Sequence, residues 1–504
     1  MPAKYVLISS QNIWNTENPG PAQSFMALAS NASPARRGRK PAEVSFSLAK
    51  ARAKSTLQVL DSLGDSDSTL VELTDDERIA LHTAYPGLRI SPVADLHPLW
   101  LRRDLSMPSV AFSAAAVPVK TEITVAVTDP DGNPIRDVLV QAVLDAGQGH
   151  GAENRTNKDG VARIRFKRQI PGLEFVSAEA PGGFWAAFVP KVKILTPSTR
   201  IDITLIPIPR STVDTGRQYF HLHGSPEAGT GVRVAVVDSG VTPSQDVTPT
   251  AGRNLVAGED PTDFTDNGLG HGTHVAGIIA GTGVSGAALR GISPGVDLRS
   301  YRVFAKAART AESFTIAKAI RMAVDDGCDL INLSLGVDRD VPEIYREVQR
   351  ARSLGVLCVA AAGNDFREEI AFPAKYASVL AVTAVGRKGT YPKNTVPPGM
   401  ESKPFSADKK TYLAAFSNLG IEADLTGAGV NIVSTHPSGL AAMSGTSMAA
   451  PAITAAIARL LAAEPTLLAA PRNQQRGDAI VALAMSAAKS LGLGPDSEGA
   501  GLLS

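Results

Sequence analysis

From Val232 onward the chain repeats one pattern, in which a short, largely apolar run is followed by a stretch of helical spacing and then another such run. VRVAVVD, DLRSYRVF, CDLINLSL, VLCVAAAG and VLAVTAV are too short for buried helices and lack the alternation of a strand with one wet face. Strands that are apolar on both faces must be covered on both. This predicts an α/β fold whose parallel sheet is sandwiched between helices. Sheets of this kind place their chemistry at the carboxyl ends of the strands.

The rest of the chain is organised differently. At roughly 100 to 200 residues per domain, 504 residues make two to four domains. Residues 1–100 open with a strand, Tyr5 to Ile8, and pass a Ser/Pro/Arg-rich insertion from about Gln11 to Lys40. A helical pattern follows from about Ala42 to Leu63. A second strand, Thr69 to Leu73, leads into Thr74-Asp75-Asp76-Glu77, a capping box that opens a helix to about Tyr85, stopped at Pro86-Gly87. Leu88 to Leu99 closes this unit as a strand, so the order βαβαβ predicts a small α/β domain. Residues 101–117 show no period and read as a linker. Residues 118–207 carry short alternating strands with turns at Asp131-Gly132 and Asp159-Gly160, the pattern of an antiparallel, Ig-like β-sandwich. Residues 208–224 connect it to the α/β domain, 225–504.

Composition excludes several classes. The 50 Lys and Arg balance 49 Asp and Glu to a formal charge of +1, which removes the general electrostatic case for a nucleic acid or an acidic membrane as partner. No apolar stretch approaches the ~18 residues of a spanning helix. The start, MPAKYVLISSQNIW, is a poor secretory signal, so the expected location is the cytoplasm, or outside by export without a classical signal peptide. Cys328 and Cys358 cannot build a disulfide framework; a single bridge between them stays open, and they read as packing residues at or in strands of the α/β domain.

Three segments carry candidate chemistry. Asp238-Ser239-Gly240 ends the first apolar strand, which stands a carboxylate at the edge where α/β sites form. Gly270-His271-Gly272-Thr273-His274 precedes a run of small and apolar residues, with His271 at the amino end of a helix. His274, three residues on, has neither an HExxH pattern nor a nearby carboxylate to complete a zinc site and reads as a hydrogen-bonded helix residue. Ser444-Gly445-Thr446-Ser447-Met448-Ala449-Ala450-Pro451 sets Ser447 between a glycine turn and a helix, where the dipole favours negative charge beside its hydroxyl. Pro451 is expected in the first turn, where a missing N–H is harmless.

Together, and in the order Asp, His, Ser, these segments resemble the signature blocks of the subtilisin-like serine proteases, the subtilases. Ala360-Ala361-Ala362-Gly363-Asn364 is similar to the family's oxyanion-hole strand, and Asn332-Leu333-Ser334-Leu335-Gly336 to the strand that pairs with extended substrate. The resemblance implies a serine endopeptidase. In it Ser447 attacks the scissile carbonyl, His271 shuttles the proton, Asp238 orients His271, and Asn364 with the Ser447 N–H stabilises the oxyanion. Ser334, Leu335, Gly336 and Gly363 would bind the polypeptide substrate. No cofactor or catalytic metal is required. GTGVSGAALRGISPG stands where some members have an Asn-bearing calcium loop, so a structural calcium stays open without its usual ligands.

Subtilases commonly carry a small prodomain that assists folding and then inhibits the enzyme. Residues 1–100 look like one, and LTDDERIALHTAYPGLRISPV is similar to its final helix and strand. The expected partners are therefore a polypeptide substrate and the chain's own prodomain, with neither nucleic acid nor membrane. Self-cleavage is expected in the linker Leu101 to Val117, with Ile208 to about Arg217 as the alternative. Two other functions compete: a protease dedicated to one precursor or partner docked through the sandwich, and a binding protein with a vestigial triad. The second is disfavoured because all four catalytic positions hold competent residues.

Other patterns have plainer readings. Gly281 to Gly286 fits GxGxxG but follows a helix rather than a strand. Asp129, Asp131 and Asn133 read as a turn, Arg163, Arg165 and Lys167 as the wet face of a strand, and Arg36, Arg37, Arg39 and Lys40 as a solvated loop. Asp365, Glu368 and Glu369 read as a solvated acidic loop, the alternative being a preference for a basic residue before the cut. Gly389 to Tyr412 reads as a polar insertion at the cleft rim.

Overall fold

The computed structural model describes residues 2–9, 21–33, 42–47, 54–64, 68–101, 121–194, 196, 198–210, 220, 225–286 and 289–504. The basic cluster at 36–40, residues 102–117 of the expected linker and most of the 208–224 connector lie outside them.

In the amino-terminal unit, β1 (Ala3–Ser9), β2 (Ala42–Ser47), β3 (Lys54–Leu63), β4 (Ser68–Leu73) and β5 (Leu88–Pro92) form an antiparallel sheet in the order β2-β3-β4-β1-β5. Two helices accompany it, α1 (Pro21–Asn31) and α2 (Asp75–Ala84). The capping box at α2 is formed, with Glu77 N–H donating to Thr74 Oγ1 and Thr74 N–H to Glu77 Oε2. Two expectations fail. The 42–63 stretch is a pair of strands, because Leu57 and Val59 alternate with exposed Gln58, and a register shift between Val59 and Asp61 breaks the alternation into helix-like spacing. Part of the supposed insertion is α1, whose Phe25 and Met26 cover Leu7 and Val71 of the sheet. Successive side chains point to opposite faces, so Val6, Ile8 and Leu70 pack instead against Ala317 and Ile320 of the carboxyl-terminal unit. The expected last strand also divides. After β5, β6 (Asp95–Pro98) leaves the sheet and crosses to that unit.

The middle unit contains β7 (Thr121–Thr128), β8 (Leu139–Asp145), β9 (His150–Arg155), β10 (Val161–Phe166), β11 (Gly172–Glu179), β12 (Ala187–Lys193) and β13 (Ser198–Thr204). They form two sheets, β10-β7-β13 and β12-β11-β8-β9, around a common core that includes Ile123, Val140, Ile164 and Val176. The arrangement is not wholly antiparallel, since the chain passes from β12 in one sheet to β13 in the other and β13 runs parallel to β7. Asp129 closes the 129–133 turn by accepting from the N–H groups of Asp131 and Asn133. Arg163 and Arg165 are exposed between buried Ala162, Ile164 and Phe166.

The carboxyl-terminal unit is α/β. Its strands are β14 (Arg233–Asp238), β15 (Ala251–Asn254), β16 (Asp297–Arg302), β17 (Ala311–Glu312), β18 (Leu330–Leu333), β19 (Leu335–Gly336), β20 (Leu357–Ala361), β21 (Val379–Arg387), β22 (Glu401–Phe405), β23 (Thr411–Ala414), β24 (Leu425–Ala428), β25 (Ile432–His436) and β26 (Gly439–Met443). The helices that frame the site are α3 (His271–Ala280), α4 (Ser313–Asp325), α5 (Pro342–Ser353) and α6 (Thr446–Ala462). The main sheet runs β15-β16-β14-β18-β20-β21-β23-β22, with β24 also on β21. It is parallel except at β22 and β23, so the 389–412 insertion is partly an antiparallel sheet edge.

Alternation along the parallel strands explains why they are apolar throughout. Val234, Val236, Leu330 and Val359 meet α3 and α6 on one face, while Val237, Ile331, Leu333 and Ala360 meet α4 and α5 on the other. Cys328 and Cys358 are buried free thiols, each pushed up to about 12 by burial and so inert as nucleophiles. Among the described residues no helix is long and apolar enough to cross a membrane.

Candidate active site

Asp238 ends β14 and His271 begins α3, so the sheet edge and a helix amino end bring them together. His271 Nδ1 lies 2.8 Å from Asp238 Oδ1, which also accepts from the Ser239 N–H at 2.7 Å. A carboxylate oxygen only accepts, so Nδ1 carries the ring proton and Nε2 is left as a base. His271 is fully buried, and among buried side-chain atoms its Nε2 and Asp238 Oδ2 have no hydrogen-bond partner.

Asp266, which was not anticipated, holds the approach to His271. Its Oδ1 accepts from the N–H groups of Gly268 (2.8 Å) and Gly270 (2.7 Å). Its Oδ2 takes the Ser239 hydroxyl, whose oxygen in turn accepts from Gly272 N–H. Burial raises this carboxyl above its ordinary value. Gly270 has φ +76°, and a Cβ there would fall 1.9 Å from His436 Nε2, so glycine is needed for both conformation and space. His436 is itself held down to about 4 by burial and stays neutral beside the site. His274 faces away, its Nε2 2.9 Å from Ile432 O and 3.2 Å from Ala441 O, and burial keeps it well below the usual histidine value. It is a structural residue.

Ser447 is the second residue of α6. Its hydroxyl donates to Ser334 O at 2.9 Å and not to His271, whose Nε2 has no partner among the described residues. Pro451 is the sixth helical residue, beyond the first turn where it was expected. It cannot donate to Ser447 O, and the Ser334 hydroxyl does so at 3.0 Å. The irregularity of the helix is therefore tied to β18–β19.

Asn364 follows β20. Its Oδ1 accepts from Thr446 N–H and lies 3.0 Å from Thr446 Oγ1, which fixes the amide so that Nδ2, buried and without a partner, points the other way. Thr446 was missed because a threonine next to a serine carries no signal of its own. Gly363, expected to bind substrate, makes its backbone bonds within the protein, to Thr446 Oγ1 and the Asn418 N–H. Its φ of +120° and the closeness of Asn418 exclude a side chain.

The groove in front of these groups is occupied by the chain itself. β6 lies antiparallel between β17 and β19, pairing Leu96 with Ala311, Pro98 with Leu335 and His97 with Gly336. Leu99 N–H continues the ladder to Ser334 O at 3.1 Å, and Leu99 O accepts from Ser447 N–H at 2.9 Å. Leu101 N–H donates to Ser444 O at 2.6 Å. The Trp100 ring stands edge-on to His271, with centroids 5.5 Å apart. A Cβ on Gly445 would come within 2.5 Å of Leu99 O and 3.3 Å of Asn364 Nδ2, so both atoms flank this glycine, and of the two donors the Ser447 N–H alone bonds the carbonyl. The Leu99–Trp100 peptide bond is thus the one presented to Ser447, just before the linker in which a cut was expected.

Of the acidic loop, Asp365 borders the pocket that Leu99 lines. Glu369 is exposed and pairs with Lys375, while Asp365 accepts from Asn418 Nδ2 at 3.0 Å. Leu99, only 8% exposed, lies against Gly336 and beside Ala371. Among the described residues no group of three or more His, Cys, Asp or Glu could hold a metal ion.

A subtilase family model matches residues 229–501. The chain belongs to the subtilase family. As a subtilase it is a serine endopeptidase, a hydrolase of polypeptides. It is 35% identical over 245 residues to subtilisin BL of Lederbergia lenta, covering 48% of this chain and 81% of that protein. It is 34% identical over 247 residues to subtilisin DY of Bacillus licheniformis, covering 48% and 80%. To an alkaline protease of Alkalihalobacillus alcalophilus it is 34% identical over 245 residues, covering 48% and 57%. The subtilase match begins after the amino-terminal and two-sheet units.

Proposed function

We propose that this endopeptidase works through Asp238, His271 and Ser447 and is made as a precursor that cuts itself between Leu99 and Trp100. The observation that carries the reading is the Leu99 carbonyl, held by the Ser447 N–H with its own N–H on Ser334 and the leaving residue against His271. Ser447 Oγ attacks the Leu99 carbonyl carbon as His271 Nε2 takes its proton. The oxyanion is met by the Ser447 N–H and by Asn364 Nδ2. Asp238 holds the His271 tautomer and stabilises the imidazolium. On collapse, the imidazolium proton goes to the Trp100 nitrogen and an acyl-enzyme on Ser447 remains. Water, deprotonated by His271, then releases the Leu99 carboxylate.

In this reading residues 1–99 act as prodomain and intramolecular inhibitor. After the cut β6 keeps its pairing on both edges, and the ion pairs Lys318–Asp61 (2.6 Å) and Arg89–Asp340 (3.1 Å) still join the units. Release therefore requires these contacts to break. Residues 118–207 serve as an accessory sandwich and 225–504 as the catalytic domain. The test is labelling of the self-processed chain by a fluorophosphonate. Wild type is expected to label, and Ser447→Ala to stay intact and unlabelled. A processed wild-type chain that does not label once residues 1–99 have been released overturns the mechanism.

A further inference from the structure

The two-sheet unit is fastened beside the catalytic groups. Gly183 N–H donates to Leu440 O, Phe188 N–H to Asn394 O and the Ser438 hydroxyl to Pro181 O, each at 2.8 Å. A Cβ on Gly182 would lie 2.1 Å from Ser438 Oγ and 2.9 Å from Leu440 O, so the approach leaves no room for a side chain. Trp185 and Ile208 are buried with Val433, Leu440 and Leu289. The element gripped is the β25–β26 hairpin, and β26 runs within one residue of Ser444, which holds Leu101, and four residues of Ser447.

The β12-β11-β8-β9 sheet shows the same thing from its other side. One face makes the unit's core through Val140, Ala142 and Val176. The opposite face should be wet in a free-standing two-sheet domain. Here Leu139, Gln141, Phe175, Ser177 and Phe188 on that face are all buried. Where the cover is incomplete, a cavity opens between Leu139, Phe184, Ala186 and Phe188 on the two-sheet side and Met443 and Ser444 on the catalytic side. Trp100 and Leu101, the residues immediately after the bond held at Ser447, line it. Arg155 and Glu179 also border it.

We infer that the two-sheet unit forms one wall of the binding site for the leaving-group side of the substrate, where it receives an extended polypeptide with aromatic or aliphatic residues at the first two positions after the cut. The occupant follows from continuity, because the chain's own Trp100 and Leu101 already enter the cavity from the catalytic groups. The inference rests on the protease reading above and adds a specificity that the subtilase unit alone does not supply.

The test uses the chain after self-processing and release of residues 1–99, with two substrates. One is a peptide p-nitroanilide ending in Leu, with no residue after the cut; the other is an internally quenched peptide continuing Trp-Leu for four residues beyond it. Two variants are compared with wild type, Ala186→Trp, which fills the cavity from a half-buried position, and Phe184→Ala, which removes part of its wall. The ratio of kcat/KM for the extended peptide over the nitroanilide is expected to fall at least tenfold in Ala186→Trp and several-fold in Phe184→Ala. Wild type is also expected to prefer Trp-Leu over Gly-Gly after the cut, a preference lost in both variants. Unchanged ratios in both variants, or a wild type indifferent to Trp-Leu against Gly-Gly, overturn the inference while leaving the protease reading intact. A wild-type chain that cleaves neither substrate overturns both.

Discussion

Leu99→Ala is the sharpest perturbation of the proposed self-cleavage, because it changes the substrate and none of the catalytic groups. Leu99 is 8% exposed, and its side chain fills the space against Gly336, where a Cβ would lie only 2.8 Å from Leu99 Cδ1. The substitution removes three buried carbons at about 0.8 kcal/mol each, roughly 2.4 kcal/mol of binding that also serves the transition state. With tenfold in rate per ~1.4 kcal/mol, cleavage between residues 99 and 100 should slow about 50-fold. The main-chain bonds to Ser334 and Ser447 are untouched, so the cut should stay at the same bond. Intact-mass time courses of the purified precursor, with Edman sequencing of the first large product, measure both rate and position. Wild type should yield a chain beginning at Trp100, and Ser447→Ala no product. Cleavage of Leu99→Ala at the wild-type rate, or a first wild-type product beginning elsewhere than Trp100, would refute the assignment of this bond.

Thr446→Val keeps shape and branching but removes the hydroxyl 3.0 Å from Asn364 Oδ1, leaving only Thr446 N–H to orient the amide. A hydrogen bond is worth about 1 kcal/mol, so kcat should fall about fivefold with KM little changed, and steady-state kinetics that show a change in KM alone would contradict the orienting role. Asp424 offers a pH test, since burial lifts its carboxyl to about 6 while Ala381 N–H donates to its Oδ2. Between about pH 4 and 6 the unfolded chain loses this proton and the folded chain keeps it, so stability falls as pH rises through that window and is level above it. In a Ser447→Ala background, Asp424→Asn should therefore match its parent near pH 4 and exceed it at pH 8 by up to about 3 kcal/mol, read from denaturant melts at both pH values. Parallel stability profiles for parent and variant would count against the raised carboxyl.

What could be read in the sequence was whatever is local in the chain. A carboxylate at the end of an apolar strand, a histidine among glycines at a helix start and a serine after a glycine turn each depend on a few neighbouring residues, and the sheet that gathers them shows in the apolar runs between. The same holds for the α2 capping box, complete within four residues. The failures are non-local. A register shift in β3 disguises strand periodicity as helical, and the proline in α6 is accommodated by the Ser334 hydroxyl on another element. Asp95 to Leu101 looked like a closing strand and the start of a linker because its partners, Ala311, Ser334 and Ser444, lie more than two hundred residues away in the chain. The buried outer face of the two-sheet unit was equally hidden, since Leu139 and Gln141 alternate with core residues as they would beside water. What the fold adds to the local blocks is therefore the segment that lies across them. The order of the units, which reads as decoration around one catalytic domain, is what feeds residues 95–101 across Ser447 and closes the far side of the groove.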